Sequence, residues 1–169
     1  MSTEPDAPLR AKVLTVSDGV AAGTREDRSG VALVALLGEA GWEVVAHAVV
    51  GDGTDSVAAA LGRMCAGFAG LVVTTGGTGF APRDQTPEAT LMILDRQAPG
   101  LAEAMRAVNP GPGRLSRSVA GTCGATLVLN TPGSPAGAVE CLGAVLDVLP
   151  HALALLHDAP ATHPTGGDG

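Results

Sequence analysis

Apolar residues fall in short β-branched runs that alternate with stretches of helical spacing. The segment AKVLTVSDG at 11–19 has the pattern of a buried strand, stopped at a turn by Ser17, Asp18 and Gly19. After the polar loop AAGTREDRSG, the segment VALVALLGEAG predicts a helix over Val31 to Ala40, with Ser29 as N-cap and Gly41 as C-cap. WEVVAHAVV predicts a second strand. Thr54 or Asp55 then caps a helix whose apolar residues Val57, Leu61, Met64, Cys65 and Phe68 recur at helical spacing, with Gly67 and Gly70 marking its end. LVVTT is the third strand. This β-α-β-α-β alternation with short connections implies a parallel sheet covered by helices on both faces. Sheets of that kind bind ligands beyond the carboxyl ends of their strands, where Asp18, Asp52 and the loop from Gly76 to Asp84 would gather.

Downstream, Thr86 followed by Pro87 reads as an N-cap hydroxyl and a proline in the first turn of a helix reaching about Asp95. APGLAEAMRAV predicts a further short helix, and NPGPGRLSRS a loop without regular period. Thr126 to Leu129 predicts a strand closing on a Pro/Gly turn. AGAVECLGAVLDVLPHALALLHD is amphipathic and helical, with Pro150 expected to break or kink it. No internal repeat is visible. Residues 1–10 and the tail 158–169 are expected to be flexible, leaving 11–157 as one domain.

Composition narrows the chemistry. The chain has 169 residues, 46% hydrophobic but only 2% aromatic, so its interior is built from Val, Leu and Ala. Glycine and proline, 24 and 12 residues, stay below the level of low-complexity sequence, so the glycines are expected to have specific roles. No apolar run reaches the ~20 residues of a membrane span, and the start MSTEPDAPLR lacks signal-peptide character, so a cytoplasmic protein without a membrane partner is expected. Cys65, Cys123 and Cys141 form no CxxC pair and read as small core residues. A net charge of −7 argues against nucleic acid. Lys12 is the single lysine, which excludes a Walker A loop and most Schiff-base chemistry. A G-x-S-x-G nucleophile elbow is also missing. Phosphates, if handled, must be held by backbone N–H groups, hydroxyls, arginine and metal.

The segment VVTTGGTGFAPRDQTPEAT carries the candidate chemistry. Gly76, Gly77 and Gly79 follow a predicted strand directly, where residues without Cβ let backbone N–H groups approach an anion. Thr75 and Thr78 add hydroxyls, Arg83 is an anion partner and Asp84 a candidate Mg²⁺ ligand, against the alternative of a tight turn with a local surface ion pair. NTPGSPAG repeats the arrangement, with Ser134 either meeting an anion at a helix start or simply capping that helix. Ser116 and Arg117 of LSRS either grip phosphate or belong to a solvated loop. Asp52, in VVGDGTD, is a second acidic candidate or a turn residue. The four histidines do not pair at metal-ligand spacing and are given no catalytic role.

Together these segments resemble a family: the molybdenum-cofactor biosynthesis proteins of the molybdopterin adenylyltransferase and biosynthesis protein B type. The resemblance rests on TVSDG with the later DRSG, on TTGGTGFAPRDQTPEAT, on LSRSVAG and on LNTPGSPAG, and spans about Lys12 to Leu156. It implies an α/β fold, a three-layer, doubly wound, mostly parallel Rossmann-like sheet flanked by helices. It further implies a homotrimer or a dimer of trimers, binding of molybdopterin, contact with other cofactor-biosynthesis proteins, and transfer of AMP from Mg-ATP to the terminal phosphate of molybdopterin with release of pyrophosphate. By motif, Asp84 and Asp52 correspond to the essential, Mg²⁺-holding carboxylates. Gly76 to Gly79, Ser116, Gly133 and Ser134 correspond to phosphate and pterin contacts, and Ser17 and Asp18 to the nucleotide side. Gly19 stands where relatives often carry a larger residue, and the segment around Asp52 matches loosely. Three alternatives stay open: a non-catalytic molybdopterin-binding paralogue acting as carrier or scaffold, an unrelated α/β phosphosugar or nucleotide enzyme, and a structural assembly protein.

Overall fold

Leu14, Val72 and Val128, from three different strands, pack into one layer of apolar side chains, whereas Val13, Val73 and Leu129, their immediate neighbours in the chain, pack into another. Alternation along buried strands thus builds a core on each face of one sheet. The computed structural model describes residues 7–157; the tail expected at 158–169, and most of the expected flexible N-terminus, lie outside the described residues.

The strands are β1 (Arg10–Val16), β2 (Glu43–Val50), β3 (Gly70–Thr75), β4 (Arg96–Gln97), β5 (Ala120–Cys123) and β6 (Thr126–Thr131). They form a six-stranded sheet in the order β2-β1-β3-β6-β5-β4. The first four in that order are parallel, and the β4–β5 and β5–β6 pairs are antiparallel. The expected mostly parallel α/β sheet is therefore observed.

The helices are α1 (Asp18–Ala21), α2 (Arg28–Glu39), α3 (Thr54–Cys65), α4 (Thr86–Ile93), α5 (Pro99–Ala107), α6 (Pro110–Gly113), α7 (Pro135–Gly143) and α8 (Leu149–Leu156). Leu33 and Leu37 of α2, Met105 of α5, Leu142 of α7 and Leu149 of α8 fill one core. Val57, Leu61 and Met64 of α3 and Ala89 of α4 fill the other. The chain leaves β1 toward one face through α2 and leaves β2 toward the other through α3. The carboxyl ends of β1 and β3 consequently flank a topological switch point, where open α/β sheets form their ligand crevice.

Several caps differ from expectation. Asp27, not Ser29, caps α2: its Oδ1 accepts from Gly30 N at 2.9 Å, while Ser29 is buried in the first turn. Gly53 occupies the N-cap of α3, and Thr54 N and Oγ1 both donate to Gln85 Oε1, at 3.0 and 2.8 Å. Thr86 lies inside α4 rather than capping it, and its buried Oγ1 has no hydrogen-bond partner among the described residues. NPGPG, expected to be loop, winds the single turn α6. The long C-terminal segment divides before Pro150, which sits in the first turn of α8, where its missing N–H costs nothing.

Polar residues inside the sheet are matched. Asn130 is fully buried; its Nδ2 donates to Thr74 Oγ1 and Thr90 Oγ1, each at 3.0 Å, and its Oδ1 accepts from Val119 N at 3.2 Å. This network fastens β6 to β3 and α4 directly behind the carboxyl rim.

Candidate active site

Three strands deliver the site. β1 ends at Val16 and passes into Ser17, whose side chain caps α1 by accepting from Val20 N. β3 ends at Thr75 and passes into Gly76 and Gly77, with φ of 98° and 69°, values that favour glycine. Gly76 N continues the ladder by donating to Thr131 O at 3.1 Å. β6 ends at Thr131 and turns through Gly133 into Ser134, the N-cap of α7, which accepts from Gly137 N at 3.2 Å. A Cβ at Gly133 would lie 3.3 Å from Gly76 Cα, so the two turns touch backbone to backbone.

These turns wall two adjoining clefts. The wider, about 850 Å³, is lined by Ser17, Asp52, Thr75, Gly76, Gly77, Asp84, Gly133 and Ser134, and by Arg25 to Ser29 from the loop entering α2. The second, about 380 Å³, is lined by Gly77, Thr78, Gly79, Asp84, Ser116, Gly133 and Ser134 together with Pro112, Leu115 and Pro132. Gly77, Asp84, Gly133 and Ser134 belong to both. A third, smaller pocket of about 210 Å³ shares Ser116, Pro132 and Ser134 and continues between Met105, Asn109, Glu140 and Cys141. Eleven of the thirteen expected site residues thus line this connected system, and the exceptions, Asp18 and Arg83, meet each other at its margin.

Asp18 and Arg83 form a forked ion pair. Arg83 Nε donates to Asp18 Oδ2 at 2.6 Å and Nη2 to Oδ1 at 3.0 Å, while Nη2 also donates to Asp52 O at 2.8 Å. The guanidinium bound to it holds the Asp18 carboxyl below the usual aspartate range, and Asp18 in turn pushes Arg83 up. Asp18 and Asp52 exchange bonds as well: Asp18 N donates to Asp52 Oδ2 and Asp52 N to Asp18 Oδ1, at 2.9 and 3.1 Å. The expected anion partner Arg83 is therefore a brace that ties the β1 and β2 turns to the glycine loop.

Both candidate Mg²⁺ carboxylates face the glycine loop. Asp52 Oδ1 lies 3.3 Å from the position a Cβ on Gly77 would take, and Asp84 Oδ2 lies 2.9 Å from the corresponding position on Gly79. Asp84 Oδ2 also accepts from Ala81 N at 3.0 Å. No group of three or more His, Cys, Asp or Glu suited to a metal occurs among the described residues. Two carboxylates lining the wider cleft nevertheless fit Mg²⁺, which is held by one or two carboxylates and completes its shell with substrate phosphates and water.

Residues 12–151 match the family model described as "Probable molybdopterin binding domain". The chain belongs to this molybdenum-cofactor biosynthesis family. Among similar proteins, the molybdopterin adenylyltransferase of Helicobacter pylori strain J99 is 38% identical over 150 residues, covering 85% of each chain. The molybdenum cofactor synthesis protein cinnamon of Drosophila melanogaster is also 38% identical, over 154 residues; that match takes in 86% of this chain but only 25% of the fly protein. The crystal structure of the molybdopterin biosynthesis enzyme MoaB from Thermus thermophilus superposes with a TM-score of 0.84 at 47% identity, covering 90% of this chain and 98% of that one. Within this molybdopterin-binding fold no helix of the described residues is long and apolar enough to cross a membrane.

Three features of the family domain lie beyond what the sequence reading shows. Arg117, expected to grip phosphate or stand in solvent, turns inward: Nε donates to Gly79 O at 2.7 Å, Nη2 to Asp84 O, and Nη1 pairs with Glu88. His47, given no role, places Nε2 2.8 Å from Asp27 Oδ2, which also accepts from Thr15 Oγ1 at 2.7 Å. Lys12 is structural, donating to Met64 O at 2.9 Å over the Phe68 ring. None of these contacts has a local signal, because each joins residues far apart in the chain.

Proposed function

We propose that this chain is a molybdopterin adenylyltransferase, transferring AMP from Mg-ATP to the terminal phosphate of molybdopterin. The observation that carries the reading is the shared wall of the two clefts, formed by Gly77, Asp84, Gly133 and Ser134. ATP takes the wider cleft and the phosphate of molybdopterin the second, with the pterin end directed into the adjoining 210 Å³ pocket beside Glu140. A phosphate oxygen of molybdopterin attacks Pα; the bond from Pα to the bridging β-oxygen breaks, and pyrophosphate leaves with that oxygen.

The difficulty in this reaction is charge. Two unit charges 4 Å apart repel by about 1 kcal/mol in water and about 4 kcal/mol at an effective dielectric near 20. Backbone N–H groups of the glycine loop and of the α7 N-terminus offer fixed dipoles to both anions. Ser134 orients the second turn, and Ser116 offers a hydroxyl now donated to Ser118 Oγ at 2.8 Å. When bound, Mg²⁺ held by Asp84 and Asp52 with the phosphates supplies the remaining positive charge. A phosphate nucleophile is already ionised, so the site needs no strong general base. Residues 11–157 form the molybdopterin-binding unit in this reading, which also includes a cytoplasmic setting, a homotrimer or dimer of trimers, and handover to other cofactor-biosynthesis proteins.

The carrier alternative draws on Arg83, which Asp18 occupies, so that the glycine motif presents no free cation to a ligand. One experiment separates the two readings. Purified protein is incubated with molybdopterin and Mg-ATP, and pyrophosphate and adenylated molybdopterin are measured by enzyme-coupled assay and mass spectrometry. Equal amounts of both products are expected; molybdopterin binding without either product establishes the carrier.

A further inference from the structure

Gly19 and Arg25 act as one unit. The Gly19 carbonyl oxygen accepts from Thr24 N at 2.9 Å, Thr24 Oγ1 at 3.1 Å and Arg25 N at 3.1 Å, turning the loop after α1 back over that helix. The Arg25 side chain consequently lies against the Gly19 α-carbon, where a Cβ would stand 2.6 Å from Arg25 Cδ and 3.0 Å from Cγ. Any side chain at position 19 would displace the arginine. In its observed position Arg25 lines the 850 Å³ cleft.

That cleft is short of positive charge. Its lining includes the carboxylates of Glu26, Asp27, Asp52 and Asp84, and its other cation, Arg28, has Nε 3.4 Å from Glu26 Oε2. Arg83 is taken by Asp18. Among the described residues, Arg25 alone of the cleft-lining cations has neither an ion pair nor a side-chain hydrogen bond. Its fork of N–H donors is left open to a ligand, and that fork matches two phosphate oxygens at once. Arg25 lines the wide cleft and not the second, so it is not part of the shared wall where Pα would react.

We infer that Arg25 binds the β- and γ-phosphates of a nucleoside triphosphate, and that glycine at position 19 permits this. The inference rests on the adenylyltransferase reading above. Arg25 thereby selects triphosphate over monophosphate and offsets charge on the departing pyrophosphate.

Calorimetric titration of the full chain with Mg-ATP, AMP and inorganic tripolyphosphate tests it. Arg25→Ala is expected to weaken ATP and tripolyphosphate about tenfold and AMP less than about twofold. Gly19→Ala, which displaces only a flexible side chain, is expected to weaken ATP about threefold in the wild-type background and not at all in the Arg25→Ala background. Unchanged ATP affinity in Arg25→Ala, or equal loss for ATP and AMP, overturns the inference while leaving the adenylyltransferase reading intact. Wild-type protein that binds tripolyphosphate through Arg25 but not ATP keeps the anion site and defeats that reading; protein that binds neither defeats both.

Discussion

Arg117 donates through Nε to the carbonyl oxygen of Gly79 at 2.7 Å, and its own backbone N–H donates to Thr78 O at 3.0 Å. Carbonyls of the glycine loop are thus drawn toward the 117 segment, with Nη2 on Asp84 O and Nη1 on Glu88 completing the fork. Holding the carbonyls on one side favours amides on the other, which on the adenylyltransferase reading makes Arg117 a positioning residue. Arg117→Ala is expected to lower kcat for AMP transfer about 10²-fold, with faster hydrogen exchange at the amides of 77–80. Arg117→Lys should not rescue it, since one ammonium cannot span three separate acceptors. Normal exchange at 77–80 in the alanine variant would contradict the positioning role.

Gly76 cannot be replaced for two independent reasons. Its φ is 98°, and a Cβ would press into the carbonyl oxygen of Val16 at the end of β1, a backbone atom that cannot swing away. Gly76→Ala is expected to destabilise the fold by about 3 kcal/mol or more. Gly62, inside α3, has nothing within 4 Å of the equivalent position. Gly62→Ala should therefore stabilise by about 0.5–1 kcal/mol. Urea midpoints of the two variants, moving in opposite directions, check both statements.

The legible parts of this fold are those whose cause is local. β1, β3 and β6 are buried on both faces and read as β-branched runs, and Gly76 directly after Thr75 marks the rim. β4 and β5 leave no such mark, because two and four residues, the latter reading AGTC, carry no apolar run; β5 is placed by pairing with β6, and β4 by pairing with β5. The cap of α2 lies two residues before the expected Ser29 because Asp27 and Ser29 are both capping types, and only the bond to Gly30 N separates them. Asp84 and Asp52, singled out in the sequence as candidate carboxylates, both line the wider cleft, but Arg83 is not legible as the partner of Asp18, a contact spanning 65 positions. Long-range polar contacts leave no periodic trace, so braces and ligands look alike in sequence.

Asp84 lines both clefts, whereas Asp52 lines only the wider one. If both hold the cation, removal of charge at Asp84 disturbs the junction itself. Asp84→Asn is expected to reduce AMP transfer by at least about 10³-fold while molybdopterin binding stays within a few-fold of wild type. Asp52→Asn should raise the Mg-ATP requirement and also loosen the turn, because Oδ2 accepts from Asp18 N. Pyrophosphate release at saturating Mg-ATP, with molybdopterin retention measured separately, checks the pair; full turnover in Asp84→Asn would remove that residue from the mechanism.

The pH response follows from the sign of the Asp18 shift. Arg83 lowers the Asp18 pKa, so the folded value lies below the unfolded one, about 3.9. A carboxylate depressed in this way contributes stability that is fully present above the unfolded value and disappears as pH falls through the folded one. The Asp18–Arg83 brace is half exposed and its contribution is correspondingly screened, but across pH 5 to 8 it does not titrate. On the adenylyltransferase reading the attacking phosphate has its own second ionisation in that range, near pH ~6. AMP transfer is therefore expected to rise through that value and level off by about pH 8, with the same profile in Asp18→Asn at a lower plateau. A carboxyl-carbon titration of Asp18 by NMR should give a midpoint below about 3.9. A midpoint above it, or a pH–rate profile that shifts in Asp18→Asn, would mean that the carboxylate takes part in the proton balance of the reaction instead of fixing the geometry around it.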